Sequence, residues 1–547
     1  PRHQREKMGT PYGLQSMLKE GHTHLSGLEE AVIKNVEACK QLSKITRTSL
    51  GPNGMNKMVI NHLDKLFVTS DASTIVNELE VQHPAAKILV LAAKAQEVEI
   101  GDGTNLVVSL GGELLAQAEE LLRDGLHPSE IINGYQKAGE FALEQMEGLS
   151  VGSSETCDVR DVAAVSDRIK GSTASKQYGY EDMLTPLISK ACIDVCPSNQ
   201  NNFSVDNVRV AKILGGGLGM SQVVQGFLLK RDTEGTVKML KDCKVAVYGC
   251  AVDTSATETK GTVLIRSAEE LQAYSKGEED AVEKAIKAIK DAGAEVVVCG
   301  QSIGEMAMHF IERFGMMAIK IPSKFELRRM CRATNAVAMV KLQPPTAEDL
   351  GFASQISVDE IGGNKVIVVK QNDATSKIST VILRGSTENI MDDIERAVDD
   401  GVNAYKAICK DARTLPAGGA TEIALAVQLA AFGRKETGLE QYAIAKFAKS
   451  LEVVPRTLAE NAGLNATDVV SALYAAHAKG DTTAGVNIEE GGVKNLGEQG
   501  IYDLYLTKYW AIKLAVDAVC TILKVDQIIM SKQAGGPKGP AGGGEED

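Results

Sequence analysis

No apolar run in this 547-residue chain approaches the roughly 20 residues needed to cross a bilayer, and the opening stretch, Pro1 to Gly13, is polar with no hydrophobic signal-peptide core. A cytoplasmic protein without a membrane segment is expected. Positive charge is also scarce: 59 Lys and Arg stand against 72 Asp and Glu, for a net charge of −13. That balance argues against a broad phosphate-binding face for DNA or RNA, so any nucleotide should occupy a local site. The histidines include no HExxH and no nucleophile elbow is expected, which leaves common hydrolase chemistry unsupported. Ten cysteines are scattered from Cys39 to Cys520, and the nearest pair, Cys192 and Cys196, has no second Cys or His pair at zinc-site spacing. Buried free thiols are the expectation. No repeat of 20 to 50 residues is present.

What remains is ordinary globular material: 44% apolar and 24% charged residues, in a chain long enough for about three or four compact units. After the capping box Ser26/Glu29, Leu28, Ala31, Val32, Cys39, Leu42 and Ile45 fall at helical spacing. Met58 to Asn61 and Leu66 to Thr69 predict a short hairpin, followed by a helix from Pro84 and another just after Gly103. The middle of the chain alternates differently. Lys244 to Val247, Glu295 to Val298 and Met316 to Ile321 predict strands of an α/β domain, and helices dominate again from Ile390 to Leu523. The simplest arrangement is a helical domain built from both chain ends with an α/β insertion between them. Gly215, Gly216, Gly217 and Gly219 predict a flexible joint, and the Gly-rich stretch from Ala534 to Asp547 a disordered tail.

Three glycine sites could meet phosphate. Gly101-Asp102-Gly103-Thr104-Asn105 opens a helix, placing backbone N–H groups and the positive dipole end beside a carboxylate able to hold Mg²⁺. The alternative is a tight turn with Asp102 or Thr104 as a simple N-cap. Leu50-Gly51-Pro52-Asn53-Gly54 resembles a phosphate loop, but Asn56 and Met58 break the Walker A pattern, and an ordinary turn is its alternative. Pro416-Ala417-Gly418-Gly419-Ala420 again precedes a helix. Met220 stands where the dinucleotide fingerprint needs glycine, which excludes NAD binding there. On the helix carrying Ile390, Ile394, Ala397, Val398, Val402, Tyr405 and Ile408, Asp399 falls opposite the apolar stripe and Asp400 on its flank. Only Asp400 can lean inward; a solvated acidic pair is the other reading. Ile303, Met306, Ala307, Phe310, Ile311 and Phe314 form a further apolar stripe, expected in a core.

Taken together these stretches resemble the group II chaperonins of the eukaryotic cytosol over nearly the whole chain. The family's phosphate loop is matched by Leu50, Gly51, Pro52, Asn53 and Gly54, its V-T-N-D segment by Val68 to Asp71, and its G-D-G-T-T motif by Gly101 to Asn105. Thr173, Ala174, Ser175 and Lys176 match its nucleotide-sensing loop, Ala417, Gly418 and Gly419 its glycine turn, and Asp503 its ribose-side carboxylate. The resemblance implies ATP and Mg²⁺ as cofactors, with Asp102 on the metal, Asp71 as a second acidic contributor, Lys176 reporting the γ-phosphate and Asp400 orienting the attacking water. Asn53, Ala72, Asn105 and Ala417 depart from the commoner residues, and bear on turnover and nucleotide affinity. Val81 to Pro84, Asp392 to Arg396 and Lys508 to Lys513 are worded like one paralogue of the eukaryotic ring, with an archaeal homo-oligomer subunit as the near alternative.

The resemblance also implies a multidomain α and α/β fold. A helical equatorial domain would comprise residues 1–149 and 410–533, a small intermediate hinge domain 150–217 and 371–409, and an α/β apical domain with a built-in lid protrusion 218–370, before a tail at 534–547. The lid tip would lie near Thr254 to Lys276. The chain would be an ATP hydrolase and chaperone in a double eight-membered ring of paralogous subunits. Its partners would be unfolded clients such as actin and tubulin and co-chaperones such as prefoldin. The 58–69 hairpin and a final strand at Gln527 to Ser531 would pair between neighbouring subunits. A soluble metabolic phosphotransferase and a non-enzymatic scaffold are the competing classes.

Overall fold

The computed structural model describes residues 23–25, 28–151, 158–253, 268–371 and 378–530. Ser26 of the expected capping box, the 254–267 part of the expected lid tip, Ser531 and the 534–547 tail lie outside them. The chain forms two compact units, Pro1–Val151 with Thr414–Asp547, and Gly152–Arg413.

The first unit opens with β1 (Thr23–Leu25), α1 (Leu28–Arg47), the strands β2 (Lys57–Ile60) and β3 (Leu66–Thr69), and α2 (Ala72–Glu78). Then come α3 (Pro84–Glu99), α4 (Thr104–Arg123) and α5 (Pro128–Leu149). The second unit begins with α6 (Val162–Ala174), α7 (Glu181–Asp194), β4 (Val208–Leu214), β5 (Gln222–Leu229) and β6 (Met239–Tyr248). It continues through α8 (Ala268–Asp291), β7 (Val296–Cys299), α9 (Glu305–Arg313), β8 (Met317–Lys320), α10 (Lys324–Thr334) and β9 (Ala338–Met339). It closes with β10 (Gly351–Ile361), β11 (Asn364–Lys370), β12 (Ser379–Gly385) and α11 (Glu388–Lys410). The chain then returns to the first unit by β13 (Thr414–Pro416), α12 (Ala420–Gly433), α13 (Glu440–Ser450), α14 (Val453–Asn461) and α15 (Ala466–Ala478). Its last elements are β14 (Ala484–Val486), β15 (Val493–Asn495), β16 (Tyr502–Leu504), α16 (Tyr505–Leu523) and β17 (Ile528–Met530).

In the first unit, the helical period of α4 buries Val107, Leu110, Leu114, Leu115 and Ala118 against α1, α3 and α16. Each such leucine contributes about 1.5–3 kcal/mol on burial. On α1 the period holds for Val32, Cys39 and Leu42, but Ile45 is 42% exposed and Val36 packs inward instead. Burial alone pushes the Cys39 thiol up to about 12, so it behaves as a small apolar group. β2 and β3 form the expected hairpin, with Met58 opposite Val68. The expected final strand is present as β17, over Ile528–Met530. β17 pairs antiparallel with β1 of the same chain, His24 opposite Ile529, because both chain ends belong to this unit.

The second unit is organised by a nine-stranded sheet in the order β4-β12-β5-β11-β10-β6-β7-β8, with β9 beside β6. Successive residues of β6 serve opposite faces: Val245 and Val247 enter one core with Leu327 and Met330, Ala246 and Tyr248 the other with Phe310 and Ile311. Of the expected stripe, Ala307, Phe310 and Ile311 are buried, Ile303 and Phe314 pack half-buried against the same core, and Met306 is 40% exposed. The glycine-rich joint begins as a tethered turn. It carries the chain from β4 over the end of β12 to β5, with the Gly215 amide donating to Gly385 O at 2.8 Å and Arg384 Nε donating to Gly215 O at 2.7 Å. Among the described residues no helix is long and apolar enough to cross a membrane.

Candidate functional site

Four segments of the first unit carry the expected phosphate and ribose contacts, and the packing draws them together. The 50–54 loop is closed by Met55 N–H on Thr48 O at 2.7 Å and Gly54 N–H on Gly51 O at 3.0 Å. Asn461 of α14 fixes it by donating to Leu50 O at 2.8 Å. The same helix meets the second loop: Leu458 packs at Gly51, and Pro455 at Gly419. Pro52 and Asn53 stay partly open.

The Gly101–Asn105 turn is built by two left-handed glycines, Gly101 at φ +80° and Gly103 at +79°. Gly103 is the N-cap of α4, and no side chain caps that helix. A Cβ there would lie 2.8 Å from Thr507 Cγ2, so both backbone and space demand glycine. The simple N-cap reading of Asp102 or Thr104 therefore fails. Asp102 instead accepts the Gly103 N–H on Oδ1 at 2.7 Å, while its carbonyl takes Gln96 Nε2 at 2.8 Å. Thr104 is buried and donates to Glu97 Oε2 at 3.0 Å.

Asn105 proves to be a strut. Its amide donates to Thr46 O at 3.0 Å at the end of α1 and accepts from Ser109 Oγ at 2.9 Å. Asn105→Ala is expected to cost about 0.5–1.5 kcal/mol by removing that hydrogen bond, the Ser49 N–H still serving the same carbonyl at 3.0 Å, read as a lower urea midpoint with unchanged slope.

Gly419, at φ +84°, likewise begins α12 with no side-chain cap, and Thr421 donates back to Pro416 O at 2.7 Å. Asp503 sits on β16 opposite Leu415 of β13, which brings it beside the glycine turn. Asp71 caps α2: its carboxylate accepts from Ser73 N–H at 3.3 Å, Thr74 N–H at 3.0 Å and Thr74 Oγ1 at 2.6 Å.

Sequence reasoning gave no role to four polar residues at this place, Lys508, Glu422, Gln96 and Thr507. Lys508, on the first turns of α16, is buried between Glu422 Oε1 at 2.8 Å and Asp503 Oδ2 at 2.9 Å. Burial disfavours its charge, but Asp503 and Glu422 outweigh that and hold its pKa above the ordinary lysine range. Gln96 and Thr507 flank Gly103, and Gln96 Oε1, Thr507 Oγ1 and Glu422 Oε2 are buried without a hydrogen-bond partner. The available signal was polarity inside apolar helices, Gln96 in α3 and Lys508 in α16.

In the second unit, Thr173 and Ala174 are not loop residues. They form the last turn of α6, where Thr173 is buried and donates to Ile169 O at 3.2 Å. Ser175 caps that helix and Lys176 follows it. Asp400 is buried in α11 while Asp399 is exposed, as the helical phase predicts. Lys176 Nζ lies 2.5 Å from Asp400 Oδ2, with side chains only 13% and 8% exposed. The GxSxG spacing does occur, at Gly148–Gly152 and Gly300–Gly304. Ser150 ends α5, and Ser302, though between β7 and α9, is exposed and has no left-handed φ. Neither is a nucleophile elbow.

The profile of the TCP-1/cpn60 chaperonin family matches residues 42–533. The chain belongs to that family. It is 60% identical over 542 residues to the theta subunit of T-complex protein 1 from Arabidopsis thaliana, covering 98% of this chain and 99% of the relative. The Homo sapiens theta subunit is 52% identical over 532 residues, covering 97% and 96%, and that of Dictyostelium discoideum 51% over 528 residues, covering 96% and 98%. This chaperonin chain is thus a chaperone subunit rather than a metabolic phosphotransferase.

Proposed function

We propose that this chaperonin is the theta-type member of a hetero-oligomeric double ring in the cytosol, that it binds Mg²⁺-ATP in its first unit, and that hydrolysis there resets a chamber for unfolded proteins. The observation carrying the nucleotide reading is that α4 and α12 both begin at left-handed glycines without a side-chain cap, with the Asp102 carboxylate immediately before the start of α4. Such helix starts present N–H groups and positive dipole ends to phosphate. The donor set fits the metal as well, since Asp102 is a partly open hard oxygen ligand and Mg²⁺ commonly takes one or two carboxylates plus phosphate oxygens. When bound, Mg²⁺ supplies neutralisation of phosphate charge.

The protein's own groups divide the remaining tasks. Leu50 to Pro52, Gly103 to Asn105 and Gly418 to Gly419 cradle phosphates, Asp503 takes the ribose side, and Asp400 orients or deprotonates water. Lys176 responds to the γ-phosphate. It pairs with Asp400 in this structure, so movement of Lys176 onto phosphate would free that carboxylate when substrate is present. Photolabelling of this subunit in a purified ring with azido-ATP, with and without Mg²⁺, tests the proposal; absence of labelling at the loops named would overturn it.

Assembly depends on strand edges. The pairs β1–β17 and β2–β3 are each only two strands wide, and Met58, Ile60 and Leu66 of the hairpin are 69%, 63% and 46% exposed. Joining one pair to the other pair of a neighbour would cover both. Deleting Gln527 to Lys532 is expected to lower co-purification with the paralogous subunits, and normal incorporation would count against the pairing.

A further inference from the structure

The buried lysine in the first turns of α16 is not among the residues assigned to phosphate, yet it is tied both to the helix that follows the phosphate-side glycine turn and to the ribose-side carboxylate. Glu422, in the first turn of α12 just after the Gly418–Gly419 turn, gives Lys508 one carboxylate oxygen at 2.8 Å. Its other oxygen is buried with no hydrogen-bond partner, so Lys508 is the cation to which it is committed. The side chains of Glu422 and Lys508 are 3% and 6% exposed, whereas that of Asp503 is 39% exposed. The triad therefore has two fixed members and one open end.

Lone carboxylates at that exposure sample several rotamers, and each loses part of its binding strength in ordering. Here Oδ2 of Asp503 is held at 2.9 Å by an ammonium that cannot move without exposing the Glu422 charge to an apolar interior. We propose that Lys508 is a positioning residue for nucleotide recognition: with Glu422 as its anchor, it holds Asp503 in the orientation that reads the ribose hydroxyls. This rests on Asp503 being the ribose-side carboxylate. It links ribose recognition to the α12 glycine turn through one ionic unit, and makes Lys508 and Glu422 determinants of sugar specificity without contact with the sugar.

The test is photolabelling of this full-length subunit, within the assembled ring, by azido-ATP in competition with ATP or 2′,3′-dideoxy-ATP. The parent is expected to favour ATP by about tenfold or more, the scale of a hydrogen bond to a charged group. Lys508→Met alone would strand the Glu422 charge, so the decisive variant is Lys508→Met with Glu422→Gln, which removes both buried charges together. It should still label, with the preference for ATP reduced to near unity. A purely structural lysine would change thermal stability and leave the preference intact. If Asp503→Asn abolishes the preference while the double variant keeps it, the positioning role is overturned and the ribose reading stands. If Asp503→Asn keeps the preference, or the parent has none, the ribose reading itself fails and the inference with it.

Discussion

Asp400→Asn is expected to leave the subunit folded, assembled and loaded with ATP, yet to slow its hydrolysis by about 10² to 10⁴-fold, the usual worth of a general base. That factor corresponds to roughly 3–5 kcal/mol of barrier. Asparagine is the informative replacement because Asp400 faces Lys176 in a buried pair. Asparagine keeps an oxygen acceptor toward Lys176, whereas alanine would remove the acceptor along with the charge and blur the kinetic reading. The exposed neighbour supplies the control, since Asp399→Ala should behave like the parent. Single-turnover cleavage of ATP at this subunit in an assembled ring measures both. Equal rates for the parent and Asp400→Asn would remove the catalytic assignment.

Asp102→Ala should abolish productive Mg²⁺-ATP binding, lowering hydrolysis at this subunit by on the order of 100-fold or more. The carboxylate has two separable jobs. It accepts the Gly103 N–H ahead of α4, and its charge is available to a metal. Asp102→Asn keeps a carbonyl oxygen for the first job and loses the second. Magnesium titration of azido-ATP labelling should therefore place the Asn and Ala variants together, far to the right of the parent. An Asn variant with the parent's magnesium dependence would reduce Asp102 to a turn residue.

Much of the first unit was legible because its signals are local. The α4 period, the β2–β3 hairpin and the phase that separates Asp399 from Asp400 all arise within a few turns of chain. The sheet of the second unit was not, and only β6, β7 and β8 were foreseen among its nine strands. β5 pairs with β11 and β12, about 140 to 160 residues further on, and its face pattern is set by those partners rather than by its own neighbours. The terminal strand was placed but its partner was not, because β1 is only three residues long. Of the site, the glycine loops and acidic residues stood out as motifs. The Glu422–Lys508–Asp503 triad did not, since Glu422 lies 81 and 86 residues before Asp503 and Lys508 and meets them only through β13, β16 and the start of α12.

The first unit is sewn together from both ends of the chain, with Val151 and Thr414 exchanging backbone hydrogen bonds at 2.8 and 3.3 Å where the intervening unit leaves and returns. This arrangement sets a timetable for synthesis. Helices α3, α4 and α5 share their core with α16, through Ala511, Ile512, Ala515 and Val519 among others. At about 5–20 residues per second, α16 is translated roughly 20–70 s after α5. The contiguous second unit can close during that interval, while the apolar faces of the earlier helices wait uncovered. A ribosome stalled before residue 505 therefore displays the aggregation-prone half of a core, so this chaperone subunit needs shielding by other factors until its own last helix emerges.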